Sequence, residues 1–304
     1  MLIAGSHGLI GTALCERLHL EGHEVVRLVR TRPDDGAGTG LVRWDPQRGH
    51  LDEDALEGAG PYDGVVNLAG AGIGNRRWSE ARRTELSASR IESTRLLAEW
   101  AAGAPSAPVM INASAVGYYG DRGDEILTEV STPGDGFLAE LCVEWEAATA
   151  AARSAGLRVV LLRSGVVLSP RGGLLGRLLL PFRLGLGARL GGGRQWLTWI
   201  SLDDEVEVLL RALTDEDLLG PVNASAPEPV TNGEFTSTLA RVLHRPAFLV
   251  IPVPIVSGAL GKEMAAEFVF ASQRAQPARL EAAGHHFAHR RLDDALEALL
   301  TPPG

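Results

Sequence analysis

The chain has 304 residues, 45% of them hydrophobic and 22% charged, and a formal net charge of −9. That composition belongs to a globular protein with material for one large α/β domain and a smaller lobe, and its negative balance gives no bulk attraction to nucleic acid or to an anionic membrane. Two cysteines, Cys15 and Cys142, exclude a disulfide scaffold and a cysteine-rich metal site, and point to a reducing cytoplasmic setting with no metal.

Met1 opens directly into an apolar run, a start that predicts no leader and a first strand a residue or two short, and no later run is long enough to cross a bilayer. The run stops at Gly5, and Gly8 and Gly11 follow at three-residue spacing before an amphipathic stretch. This is the strand, turn and helix start of a dinucleotide-binding βαβ unit. Gly5 permits the tight turn, Gly8 lets backbone approach a pyrophosphate, and Gly11 lets the helix pack on the strand. Leu9 and Ile10 lie at the helix start, where unsatisfied N–H groups and the dipole favour phosphate. The helix is predicted over 12–21, ended by Gly22, and a strand over 23–28. At that strand's end, an acid would take the ribose 2′-OH of NAD. Arg30 and Arg32 stand there instead, with no acid before Asp34. Arginine favours the 2′-phosphate of NADP, the competing reading being two solvated surface charges.

Residues 33–60 read as turns around a short strand at 41–44. A buried strand then runs through Val65 and Val66 into Asn67-Leu68-Ala69-Gly70, small residues of the kind needed where a cofactor crosses backbone. A helix over 78–100 carries Leu86, Ile91, Leu96 and Leu97 toward the core. Glu85 and Arg90 lie on its polar face, as solvated charges or as cofactor contacts. The strand at 109–111 leads to Ser114 and to Tyr118 and Tyr119, flanked by Gly117 and Gly120. Open α/β sheets keep ligands at such strand ends, which makes these three the candidate catalytic residues. Core tyrosines are the competing reading.

A helix over 136–155 follows, then a strand at 159–162. The segment 172–193, with a leucine-rich helix broken at Pro181, reads as a lid or as a loop packed on the sheet. A strand at 196–201, a helix at 203–213 capped by Ser201, a strand from Pro221, a helix at 232–243 capped by Asn232, an edge strand at 247–253 and helices near 264–270 and 292–300 complete the chain. The alternation through residue 168 predicts a doubly wound parallel (Rossmann) sheet in 1–168, to which later segments can add strands. Residues 169–304 then form a substrate or lid region and a smaller mixed α/β lobe.

With these residues placed, the chain resembles the extended short-chain dehydrogenases, through Gly5-Ser-His-Gly8-Leu-Ile-Gly11, Asn67-Leu-Ala-Gly70, Ser114 before a Tyr-Gly, and Trp199-Ile-Ser-Leu-Asp203. More narrowly it is similar to the atypical subgroup labelled nucleoside-diphosphate-sugar epimerase-like. The residues concerned include Trp78, Ser89-Arg90, Trp145-Glu146, Arg163-Ser-Gly165, Leu180-Pro-Phe-Arg-Leu-Gly-Leu-Gly187 and the tail Ala271-Ser-Gln-Arg-Ala-Gln-Pro277, Gly284 and Phe287. The resemblance spans the chain and implies a small C-terminal tail domain. Relatives would typically dimerise through a four-helix interface, which leaves this chain's oligomeric state open.

One departure matters. Standard members carry a Tyr-x-x-x-Lys pair, but Lys262 is the sole lysine here and has no tyrosine four residues before it. Cys142 and Glu146 fill the corresponding spacing. A carboxylate cannot supply the lysine's charge, and Cys142 reads as a small core residue. Two functions remain open. One is an NADP-dependent oxidoreductase or epimerase on a small carbonyl, hydroxyl or sugar-nucleotide substrate. In it Ser114 bonds the substrate oxygen and Tyr118 or Tyr119 donates the proton, with Glu146 as a general base in a variant mechanism. The other is a catalytically silent dinucleotide-binding sensor or scaffold.

Overall fold

The computed structural model describes residues 1–31 and 40–301; Arg32 and the turn-rich residues after it lie outside the described part. Its first elements are β1 (Leu2–Ala4), α1 (Leu9–Leu20), β2 (Val26–Val29), β3 (Leu41–Asp45), β4 (His50–Leu51), α2 (Glu53–Ala59) and β5 (Gly64–Asn67). The long α3 (Glu80–Gly103) precedes β6 (Val109–Ala115), followed by β7 (Ile126–Leu127), α4 (Phe137–Ala147), α5 (Ala150–Ser154) and β8 (Val159–Ser164). Next come β9 (Val166–Leu168), α6 (Gly173–Arg183), β10 (Ala188–Leu190), β11 (Trp196–Leu197), β12 (Trp199–Ser201), α7 (Leu202–Thr214) and β13 (Gly220–Ala224). The remainder is β14 (Val230–Thr231), α8 (Asn232–Val242), β15 (Leu249–Ile251), α9 (Val253–Leu260), α10 (Lys262–Met264), a π-helical stretch Ala265–Phe270, β16 (Arg274–Ala275), α11 (Ala278–Ala282) and α12 (Leu292–Leu300).

Eight strands form the main sheet in the order β13-β8-β6-β5-β1-β2-β3-β4. Neighbours are parallel except β3 and β4. Helices cover both faces, so the central strands read as unbroken apolar runs. Leu2, Ile3, Ala4, Val65 and Val66 are fully buried. One face packs Ile3, Val66, Ile111 and Leu162 against Leu14 and Leu18 of α1 and Leu209 of α7. The other packs Leu2, Val65 and Met110 against Leu97 of α3 and Ala152 of α5. A third core joins Leu175 and Phe182 of α6, Phe235 of α8 and Leu296 of α12 around Trp199. The strand order reverses between β2-β1 and β5-β6, and the crevice beyond the carboxyl ends of β1 and β5 is where such sheets take ligands.

Several elements differ from the sequence expectation. The second strand starts at Val26, not at residue 23. The helix expected from Trp78 starts at Glu80, because Ser79 accepts the Arg82 N–H as its cap. The helix expected over 136–155 is two, interrupted where the buried Thr149 hydroxyl turns back to the Glu146 carbonyl at 2.7 Å. Pro181 does not break α6, which runs on to Arg183; the helix loses one N–H donor near its end and continues. Thr231, not Asn232, caps α8, in a capping box with Glu234, while the Asn232 side chain accepts the Leu190 N–H at 2.9 Å. The strand expected over 196–201 is divided, β11 pairing antiparallel with β14 and β12 parallel with β9. The edge strand expected over 247–253 shrinks to β15, since the prolines after it start α9. Ser201 caps α7 as expected, accepting the Asp204 N–H at 3.1 Å. No helix among the described residues is long and apolar enough to cross a membrane.

The tail is fastened to the sheet domain through Asp204. Its buried carboxylate accepts the Ala288 N–H at 2.7 Å, the His289 N–H at 3.0 Å and the Ser201 hydroxyl at 2.8 Å. Removing it takes the acceptor from the Ala288 and His289 N–H groups and from the buried Ser201 hydroxyl. Asp204→Ala is expected to lower folding stability by about 3 kcal/mol, seen as a reduced urea midpoint, whereas an exposed-face control such as Asp217→Ala leaves the midpoint in place.

Candidate active site

At the end of β1 the backbone turns with Gly5 at φ +80°, and a Cβ there would meet the Leu68 carbonyl carbon at 2.6 Å and the Ala69 nitrogen at 2.8 Å. Only glycine fits both demands. Gly11 rests against the Gly5 carbonyl, which lets α1 close onto β1. Gly8 is the N-cap of α1 and brings no side chain to it, so the N–H groups of Leu9, Ile10 and Gly11 have no intrahelical partner. With the positive helix end they follow the Gly5 turn, which packs on Leu68 and Ala69, the arrangement a diphosphate cradle requires.

The second wall is held rigid from below. Asn67 bonds Thr94 at 2.9 Å and Asn112 at 2.8 Å, and Trp145 Nε1 reaches the same Thr94 hydroxyl at 2.9 Å. Beyond Gly70, α3 clamps the chain. The Ala71 N–H donates to Ser89 at 3.0 Å, Arg90 donates to the Ala71 carbonyl at 3.0 Å, and Arg82 donates to the Gly72 carbonyl. Arg90 is therefore no solvated helix charge. It is buried against the Trp145 ring at 5.1 Å, no carboxylate pairs with it among the described residues, and burial pushes its pKa down to about 10. It acts on the crevice through the loop it holds. Glu85 is exposed and pairs with Arg82 at 2.6 Å. That hydrogen bond, with the charges of Arg82, Arg76 and Arg30, holds its carboxyl below the usual range. Arg30 stands exposed just beyond β2, and among the described residues it joins Arg76 and Arg82 around the single carboxylate of Glu85.

Beyond β6 lies a buried polar relay. Glu146 of α4 takes Arg163 of β8 in a two-pronged pair, Nε to Oε1 at 2.7 Å and NH2 to Oε2 at 2.9 Å. Ser114 donates to Glu146 at 2.7 Å. Arg163 also donates to the Tyr119 hydroxyl at 3.2 Å, which donates in turn to Asn223 of β13 at 2.7 Å. Burial opposes the Arg163 charge, but the Glu146 carboxylate outweighs it and holds the guanidinium above its usual range. The same guanidinium lies 3.4 Å from the Tyr118 ring centroid.

The two tyrosines thus part company. Tyr119 is fully buried, its hydroxyl is engaged on both sides, and burial pushes its pKa up. Tyr118 is half-buried, and its hydroxyl has no hydrogen-bond partner among the described residues. Cys142, one turn before Glu146, is buried against the Ala115 carbonyl, and burial together with the Glu146 charge pushes its thiol up to about 12, out of nucleophilic range. Arg163 and Asn223 received no role in the sequence reading. Their signal was a charged and a polar residue closing otherwise apolar strands. No group of metal-ligating side chains occurs among the described residues.

A dinucleotide cradle at the switch of a doubly wound sheet, with a tyrosine at the next strand end, defines a Rossmann-type nucleotide-dependent protein of the short-chain dehydrogenase kind. The model of the NAD dependent epimerase/dehydratase family matches residues 1–224, and a domain of unknown function (DUF1731) matches 251–299. The chain belongs to that epimerase family. It is 48% identical to an epimerase family protein of Mycobacterium bovis, Mb2239, over 99% of this chain and 98% of the relative. It is 38% identical to human epimerase family protein SDR39U1, over 99% of both chains. A crystal structure of the human protein (isoform 2) with NADPH superposes with a TM-score of 0.87 at 36% identity, covering 98% of each chain.

Replacing Arg163 leaves Glu146 as an unpaired buried charge, so Arg163→Met is expected to cost about 3–5 kcal/mol of stability, whereas the paired replacement Arg163→Met with Glu146→Leu recovers most of it in a double-mutant cycle. A second buried carboxylate gives a pH signature. Glu205 accepts the Ser164 hydroxyl at 2.6 Å, its other oxygen has no partner among the described residues, and burial pushes its pKa from 4.5 to about 7. The folded protein therefore keeps this proton where the unfolded chain has lost it. The stability it contributes is complete below pH 4.5 and is lost as pH rises through about 7. Glu205→Gln is expected to gain roughly 2–3 kcal/mol over the parent at about pH 8 and to lose that advantage in acid, read from urea midpoints across the window.

Proposed function

We propose that the protein is an NADP(H)-dependent oxidoreductase of the short-chain type, acting on a small carbonyl or hydroxyl compound, with Tyr118 as the proton-exchanging residue. The observation that carries this reading is the Arg163 guanidinium, 3.4 Å from the Tyr118 ring centroid while gripped from behind by Glu146. When bound, the nicotinamide would supply or accept the hydride. The chain's own part is the proton. During reduction the Tyr118 hydroxyl gives its proton to the substrate oxygen, and the negative charge developing on the phenol oxygen is met by Arg163. An arginine here takes over electrostatic work that other members give to a lysine. Both Glu146 oxygens are held by Arg163 and one also by Ser114, so we assign Glu146 to positioning the guanidinium and not to base catalysis. Ser114 and Tyr119 are positioning residues of the same relay.

The cofactor preference rests on Arg30 and on the uncapped α1 terminus, and the human relative crystallised with NADPH supports it. Sugar nucleotides remain among the substrates to be tried, and a reducing cytoplasmic setting suits the two free, buried cysteines.

A silent sensor is the second reading, favoured by the missing Tyr-x-x-x-Lys pair and the inert Cys142. The two separate in a turnover assay. With NADPH and a panel of aldehydes, ketones and sugar nucleotides, the enzyme reading expects hydride transfer, lost about 10²–10⁴-fold in Tyr118→Phe at unchanged NADPH affinity. Full activity in Tyr118→Phe would remove that residue from the chemistry, and NADPH binding without transfer to any acceptor would favour the sensor. Separately, Arg30→Asp is expected to weaken NADPH at least tenfold relative to NADH, by about 1.4 kcal/mol or more, in a fluorescence titration. Equal affinities in parent and variant would overturn the assignment.

A further inference from the structure

Two stretches of this acidic chain carry the opposite charge. From Arg171 to Leu202 the chain has five arginines and no carboxylate, and from His244 to Lys262 it has Arg245 and Lys262 and again no carboxylate. The fold joins these two stretches. β10 and β15 pair in parallel, Arg245 Nε donates to the Arg183 carbonyl at 2.8 Å, and Gly185 faces the Pro246 ring.

Apolar side chains of these two stretches stand in water. Phe248 is 78% exposed, Leu180 67%, Leu184 66% and Ile255 61%. Helix α6 explains the first pair of leucines. It turns Leu175, Leu179 and Phe182 into the third core, which leaves Leu180 and Leu184, one turn apart, directed away from it. β15 is exposed on both faces at Leu249 and Val250. The same stretches carry Arg183, Arg189 and Arg194, all exposed and none in an ion pair with a carboxylate among the described residues. Exposed apolar side chains gathered on paired segments mark a contact site. A second copy is the wrong occupant, because a two-fold contact would set the same arginines against each other. Long arginine stems over an apolar patch fit an interface with apolar groups beneath and anionic groups above.

We propose that the face formed by α6, β10, β15 and α9 docks peripherally on an anionic lipid bilayer, the apolar side chains entering the headgroup boundary and the arginines pairing with lipid phosphates. Bulk net charge averages over this patch and conceals it. The docked face borders the substrate side of the molecule, since Arg177 of α6 donates to the Gly74 carbonyl at 3.1 Å and to Asn75 at 2.6 Å, in the segment that continues from the cofactor wall.

The test is cosedimentation of the full chain with vesicles of equal parts phosphatidylglycerol and phosphatidylcholine, against phosphatidylcholine alone. The parent is expected to bind only the anionic vesicles and to be released by about 0.5 M NaCl. Phe248→Glu with Leu184→Glu, and separately Arg183→Glu with Arg194→Glu, should each weaken binding at least about tenfold. All four positions are exposed and outside the cofactor crevice, so NADPH affinity and thermal midpoint serve as controls for folding. No binding of the parent to anionic vesicles overturns the proposal, as does binding that both double variants retain. A dimer in light scattering that Phe248→Glu with Leu184→Glu dissociates would assign the face to self-association and also overturn it.

Discussion

The pair between Glu146 and Arg163 is the constraint on which the rest of the site depends. Both side chains are almost wholly out of water, at 10% and 3% exposure, so neither charge is tolerable without the other. Each comes from a different element, α4 and β8, and β6, the sheet neighbour of β8, contributes Ser114 to the same carboxylate. The tyrosine turn then closes over the guanidinium, Tyr118 on its face and Tyr119 at its edge, and Asn223 ties that edge to β13. A pair of this kind adds little net stability compared with an apolar core of equal volume. Its effect is geometric, because a planar fork held by two carboxylate oxygens has one orientation, and the ring stacked on it is oriented with it.

The cofactor side is organised by a different principle. There the groups that would meet a ligand are backbone N–H donors, and the side chains serve to keep backbone in place. Gly5 and Gly11 remove bulk where β1, β5 and α1 converge, while Ser89, Arg82 and Arg90 fix both polar groups of Ala71 and the carbonyl of Gly72. A buried arginine bonded, among the described residues, to neutral carbonyls alone bears a desolvation cost, and burial lowers its pKa. It leaves the loop after β5 ordered before any ligand arrives, which reduces the ordering cost of binding.

Much of this was legible in the residues. The parallel sheet follows from apolar runs alternating with amphipathic segments. The glycine loop follows from spacing next to such a run, and Ser114 and the tyrosines from lying at a strand end. Less legible were the helix boundaries, where Thr149, Thr231 and Ser79 redirect the chain through local side-chain hydrogen bonds that compete with helical pairing. The different fates of Tyr118 and Tyr119 were not legible at all. They are adjacent and chemically identical, and only the approach of β8 and β13 buries one and leaves the other half open.

The sequence by itself determined the layer architecture, the nucleotide-binding turn and the absence of the usual lysine, because periodicity, glycine spacing and residue identity are local properties. Tertiary structure decided where the missing positive charge is supplied. Arg163 reaches Glu146 across 17 residues and Asn223 reaches Tyr119 across 104, through pairings of β8 with β6 and β13 that no single segment encodes. It also decided that Arg90 is buried and that the arginine-rich stretch near α6 meets the apolar β15. Burial and charge balance are sums over neighbours in space, and those neighbours exist only once the sheet is assembled.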